Sequence, residues 1–255
     1  MDTYRRIPIA TRLLIAANVI MFLFMTRASG SFDWGPAFLQ SWGAMPSYSS
    51  LDGAYWRFLT ACFVHTSPFH IMGNMACLGS WGTILERRFG TGKFLLLYLS
   101  AGVFASLVWS LLAPVGTVGC GASGATNGLL GAICVARYYD RSIIKSTEFA
   151  GFALIAVGVN LLPGIGVAAH AAGFAVGLLI GLGLWHAQRF APAKPAGRPQ
   201  WQRTVDAIVE RIRTAIMPSS DSVAGRMIDR VKLRYGGDMV FHIAADVALV
   251  STVMV

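Results

Sequence analysis

Acidic residues are scarce in this chain, 12 among 255. Half of them lie beyond position 200, and the others are Asp2, Asp33, Asp52, Glu86, Asp140 and Glu148. Charged residues of both signs make up only 13% of the sequence, about half the share of a soluble domain. A soluble globular enzyme is therefore not the class to start from. The four cysteines (Cys62, Cys77, Cys120 and Cys134) show no C-x-x-C spacing, and small apolar packing is their expected role. No HExxH motif occurs, and His65 and His70 stand five apart, a spacing that puts them on different helix faces, so no metal site is expected. The nucleophile elbow of soluble hydrolases, G-x-S-x-G, also fails, because position 125 is Ala.

What the chain has instead is long uncharged apolar sequence, with a mean hydropathy of +0.58. A membrane span takes about 20 mostly apolar residues to cross roughly 30 Å of hydrocarbon. Six intervals qualify, at about 9–26, 68–85, 94–113, 120–137, 147–162 and 166–186. The expectation is an all-α polytopic membrane protein with six transmembrane helices in a compact bundle. The first span follows Arg5 and Arg6 and lacks a small-residue cleavage site, so it is expected to be retained.

Lysine and arginine set the orientation. Arg5, Arg6 and Arg12 flank the first span; Arg87, Arg88 and Lys93 separate spans two and three; Arg137, Arg141 and Lys145 separate four and five. The alternate loops hold only Arg27 and Arg57. By the positive-inside rule both termini are expected in the cytoplasm. The net charge of +9 is mostly this bias, and no nucleic-acid partner is implied.

Around the expected membrane domain (9–190) lie a short cytoplasmic N-terminus (1–8), a Pro/Gly-rich linker (191–200) and a small cytoplasmic or membrane-surface tail (201–255). The loop at 27–64 carries Phe32, Trp34, Phe38, Trp42, Tyr48, Tyr55 and Trp56. That aromatic density suits the outer headgroup region, although an ordinary packed loop would also accommodate it.

Polar side chains inside spans are costly, so each needs a reason. His70 and Asn74 lie in span two, Ser123 at the start of span four, and His170 near the start of span six. With both termini inside, all three spans begin at the outer leaflet, and these residues lie a turn or two inward, at about 1.5 Å per residue. Three helices thus deliver polar groups to one depth. Taken singly, Ser123 would read as a helix hydroxyl bonded to nearby backbone; together the four read as a site. Ser123 falls in a first helical turn, whose N–H groups can meet a developing negative charge, and Gly121 and Gly124 clear the approach. Asn74 and His70 can add donors to such an oxyanion hole. A serine hydroxyl needs a base, and His170 is the candidate. Gly173, Gly177 and Gly181 recur beside it, and Gly124, Gly128 and Ala132 form a comparable stripe on span four, so two helix backbones can approach closely. No Asp or Glu is available at this depth, which leaves a Ser–His dyad. A transporter would instead place polar groups at the midplane and often show inverted repeats.

The stretches WRFLTACFVHTSPFHIMGNM, ILERRFGTGKF, GASGATNGLLGA and AHAAGFAVG, in that order across about residues 7–190, resemble the rhomboid family of intramembrane serine proteases. They match its Trp-Arg pair with H-x4-H-x3-N, its Glu-x-Arg turn, its G-x-S-G helix start and its His-bearing last core helix. The resemblance implies Ser123 as nucleophile and His170 as general base and then acid. It implies His70, Asn74 and Gly121 on the oxyanion side, and His65, Trp56, Arg57, Glu86 and Arg88 as structural supports. It further implies no cofactor and no metal, and single-span membrane proteins as substrates; membrane lipid and a weak homo-oligomer are the other partners considered. The location implied is a bacterial inner membrane with the site open outward. One position departs: the family's usual aromatic beneath the catalytic imidazole is Asn127 here. Asn127 is expected either to hydrogen-bond His170 or to leave the ring less firmly held. That departure keeps open an inactive relative that binds transmembrane clients without cutting them.

Overall fold

The computed structural model describes residues 7–160, 166–189 and Ala207. The expected linker and, apart from Ala207, the expected tail lie outside the described residues. The described chain is predominantly helical: α1 (Ile9–Ser29), α2 (Pro36–Ser41), α3 (Arg57–Thr60), α4 (Pro68–Cys77), α5 (Thr83–Phe89), α6 (Thr91–Leu112), α7 (Ser123–Tyr139), α8 (Ser146–Asn160) and α9 (Val167–Arg189). Two two-residue strands, β1 (Met45–Pro46) and β2 (Val118–Gly119), pair antiparallel, with Met45 opposite Gly119. Three described helices are long and apolar enough to cross a membrane: Ile9–Ser29, Thr91–Leu112 and Val167–Ala187.

Local chemistry explains the helix ends. α1 stops at Gly30, whose positive φ of 68° and N–H bond to the Thr26 carbonyl (2.9 Å) close its last turn. Ser67 caps α4 by accepting the His70 N–H at 3.2 Å, and Pro68 supplies a preset first position. α4 and α5 form one length of helix interrupted by a wide π turn at Leu78–Gly82. There α1 crosses closely, and a Cβ on Gly82 would lie 3.1 Å from Thr11 Oγ1. Gly90, at φ 87°, turns the chain directly into α6.

Helix bounds differ modestly from those expected. α1 runs three residues past 26. The second span reaches Phe89 rather than 85. The fourth begins at Ser123 rather than 120, because Gly121 takes a φ of 119° that no helix contains. The 27–64 segment is packed and holds short elements, among them α2, β1 and α3. Ring contacts link Phe22 to Trp34 (5.3 Å), Trp34 to Phe38 (5.7 Å) and Phe38 to Trp42 (6.1 Å). Arg57 Nη1 donates to the carbonyls of Gln40 and Ala44, which ties α3 to the end of α2.

α7 occupies the centre. Its Ala125, Leu129, Ala132, Ile133 and Ala136 are wholly buried, and small residues let its neighbours press in. A Cβ on Gly124 would collide with Ala105 of α6, and one on Gly173 of α9 would collide with the Gly124 carbonyl. Gly177 meets Gly128 in the same way, and Gly181 meets Ala132. The predicted stripes, on α7 and α9, therefore do face each other.

Glu86 fastens the far end of the bundle. Its buried carboxylate accepts the Ala10 N–H (3.0 Å), the Thr11 N–H and hydroxyl (both 2.8 Å) and the Thr91 hydroxyl (2.8 Å). Two of these donors are first-turn N–H groups of α1, which have no partner inside their own helix. Glu86→Ala strips all four donors of their acceptor, and a cost of about 3 kcal/mol or more is expected. Unfolding in detergent, followed by circular dichroism, measures it; an unchanged midpoint would exclude the fastening role.

Candidate active site

A cavity of about 500 Å³ reaches into the bundle between α4, α6, α7 and the start of α9. His70, Asn74, Gly121, Ser123, Asn127 and His170 all line it, as do Thr66, Cys77 and Thr126. No Asp or Glu is among its lining residues. The five expected supports stand outside it.

Ser123 is the first residue of α7 and His170 belongs to the first turn of α9. Their side chains meet at 2.8 Å, His170 Nε2 to Ser123 Oγ. The packing of glycines against α7 one turn below produces this approach. An imidazole nitrogen at that distance can accept the hydroxyl proton when its other nitrogen carries the ring hydrogen.

Gly121 lets the His70 ring pack close beside the hydroxyl. A Cβ built there would lie 2.6 Å from His70 Nε2 and 3.7 Å from Ser123 Oγ, and its φ of 119° disfavours any side chain. The Gly121 N–H is held by the Ala61 carbonyl at 2.9 Å. His70 Nδ1 receives the Thr66 backbone N–H at 3.4 Å and lies 3.1 Å from the Thr66 hydroxyl. A backbone N–H can only donate, so Nδ1 is an acceptor and neutral His70 carries its hydrogen on Nε2, the ring atom nearest Gly121. Asn74 Nδ2 donates to the His70 carbonyl at 3.0 Å, one turn back on α4.

His65 is fully buried, and its Nε2 accepts the Ala122 N–H at 3.3 Å, next to Ser123. The expectation that His65 and His70 occupy different helix faces is corrected. α4 begins only at Pro68, so His65 precedes it and folds back until the two rings meet edge-on at 5.0 Å. Among the described residues no group of three or more His, Cys, Asp or Glu is placed to hold a metal ion. Trp56 is 63% exposed, with the Arg57 guanidinium 6.0 Å from its ring. Arg88 lies over the Trp185 ring at 4.5 Å, at the end of the bundle opposite the cavity mouth. Asn127 Nδ2 donates to the Ser123 carbonyl at 2.9 Å.

Sequence pattern did not single out Thr66, Thr126 or Ala61. Each enters through a hydrogen bond to a residue that pattern did identify, and threonine and alanine are too common in apolar helices to signal that alone.

The Rhomboid domain family model matches residues 52–187. Rhomboid protease GluP of Bacillus subtilis is 33% identical over 160 residues, covering 63% of this chain and 31% of that protein. RHOMBOID-like protein 4 of Arabidopsis thaliana is 33% identical over 153 residues, covering 55% of this chain and 39% of that one. Rhomboid protease GlpG of Haemophilus influenzae is 31% identical over 143 residues, covering 53% of this chain and 73% of that one. The chain thus spans only about a third of the first two relatives, but most of the third. It belongs to the rhomboid family. With its apolar helices, it is an integral membrane protein.

Proposed function

We propose that the protein is an intramembrane serine endopeptidase that cuts single-span membrane proteins in or near their transmembrane segments through a Ser123–His170 dyad. The 2.8 Å contact between Ser123 Oγ and His170 Nε2 carries this reading. As Oγ bonds to the scissile carbonyl carbon, His170 takes the hydroxyl proton and then gives it to the departing amine nitrogen. Water enters through the cavity and attacks the acyl-enzyme, His170 accepts its proton, and the serine is restored. The carbonyl oxygen, negative in each tetrahedral stage, turns to the cavity wall formed by His70, Asn74 and the start of α7. There it meets the Nε2–H of His70, the amide of Asn74 and the Ser123 N–H. His65, Trp56, Arg57, Glu86 and Arg88 act as supports around this machinery, and no resident cofactor is required.

In this reading the domain holds six spans, with α4 to α5 and α7 and α8 completing the set. Both termini are cytoplasmic, the protein resides in a bacterial inner membrane, and the site opens outward. A fluorophosphonate probe tests the assignment: it should label the purified protein at Ser123, and Ser123→Ala should remove the label. The rival reading, a relative that holds transmembrane clients without cutting them, draws on Asn127 in place of the usual aromatic. That rival stands if the protein binds a single-span substrate in liposomes yet releases no fragments and takes no label.

A further inference from the structure

Both side chains offered to the oxyanion are two-faced. An imidazole and a carboxamide each carry acceptor and donor atoms, and each has one arrangement that would turn a lone pair toward a developing negative charge. A group on the far side must select the useful arrangement. In this chain a threonine hydroxyl stands in each of those places.

For His70 the group is Thr66, whose hydroxyl lies 3.1 Å from Nδ1 and whose N–H lies 3.4 Å from it. For Asn74 it is Thr126, which is buried on α7 with its hydroxyl 3.5 Å from Asn74 Oδ1. A flipped Asn74 amide would set Oδ1 against the His70 carbonyl, acceptor to acceptor, where Nδ2 now donates at 3.0 Å. The Thr126 hydroxyl also lies 3.1 Å from the Ser123 carbonyl. The single hydroxyl hydrogen of Thr126 is therefore shared between two acceptors, the Ser123 carbonyl and Asn74 Oδ1.

We infer that Thr66 and Thr126 are positioning residues that aim the N–H groups of His70 and Asn74 at the oxyanion. The inference rests on the protease reading above and assigns two residues to it that neither sequence pattern nor family motif marks.

The test uses the full-length protein in liposomes with one single-span substrate. Thr126→Val keeps the shape and removes the hydroxyl; kcat should fall about tenfold, less than the 10²–10³ of losing a whole oxyanion donor, with KM within about twofold. Thr126→Ser should restore kcat. In an Asn74→Ala background, Thr126→Val should produce no further loss, because the group it orients is gone. Thr66→Val should cost less, about threefold, since the Thr66 N–H remains on Nδ1. Thr126→Ala supplies a second hydroxyl-free variant should valine impair folding. A wild-type kcat in both Thr126→Val and Thr126→Ala overturns the inference, as does an equal loss with and without Asn74. If the wild-type protein cleaves and these variants match it, only this inference falls; if the wild-type protein cleaves nothing, the protease reading falls with it.

Discussion

Ser123→Ala protein should fold like the wild type and cleave substrate at least about 10⁴-fold more slowly, the scale on which removal of a nucleophile acts in serine hydrolases. One hydroxyl is lost, and the framework around it is backbone. The Ala122 N–H still reaches His65, the Ser123 carbonyl still receives Asn127, and α7 still begins at the same residue. Thermal unfolding of the variant should therefore match the wild type while fragment release from a single-span substrate disappears. His170→Ala should fall to the same floor. The double variant should lie no lower, because the two groups act as one unit. Residual cleavage above the uncatalysed rate would measure what the oxyanion side supplies unaided. Cleavage by Ser123→Ala at near the wild-type rate would remove the nucleophile assignment, whatever the 2.8 Å contact suggests.

Much of this site was legible in the sequence because lipid makes polar residues conspicuous. Ser123, His170, His70 and Asn74 stand out against apolar neighbours, and helical rise alone puts them at one depth. The glycine stripes were legible for a similar reason. A small-residue repeat at a spacing of four has few uses other than close helix contact, and Gly173, Gly177 and Gly181 do press on Gly124, Gly128 and Ala132. Other features depend on irregular backbone, which periodicity cannot register. His65 meets His70 only because α4 starts three residues after His65. Gly121 reads as clearance in the sequence, yet its φ of 119° also displaces the start of α7 to Ser123, and its missing Cβ lets the His70 ring pack beside the hydroxyl. The wide turn at Leu78–Gly82 divides what reads as one uniform span. Glu86 looked like half of an acid–base turn, and its carboxylate is in addition the cap of α1, some 75 residues earlier in the chain. Such partners are fixed by tertiary packing rather than local spacing. Thr126, behind Asn74 and 52 residues from it in the chain, belongs to the same class.

The close approach of α7 and α9 makes a second large effect predictable. Gly173→Val should cost about 3 kcal/mol or more in stability, the upper end for overpacking, because the obstacle is backbone rather than a side chain that can swing away. A Cβ at position 173 would fall on the Gly124 carbonyl, and that carbonyl belongs to the first turn of the central helix. Relief requires α9 to move outward as a body. His170 lies three residues before Gly173 on the same helix, so it would move as well. A displacement of about 1 Å at a reacting pair is enough to cost about 10²-fold in rate. The variant should therefore lose activity even in the fraction that remains folded. Gly183→Val provides the control: the same helix, the same substitution, and nothing within 4 Å of the added Cβ. It should unfold and cleave much as the wild type does, apart from about 0.5–1 kcal/mol of backbone propensity in either direction. Equal behaviour of the two valine variants, in thermal midpoint and in kcat, would show that the spacing of these helices does not govern the Ser123–His170 contact. A selective loss at Gly173 would show that the Ser123–His170 hydrogen bond depends on hydrogen atoms standing where side chains would otherwise be.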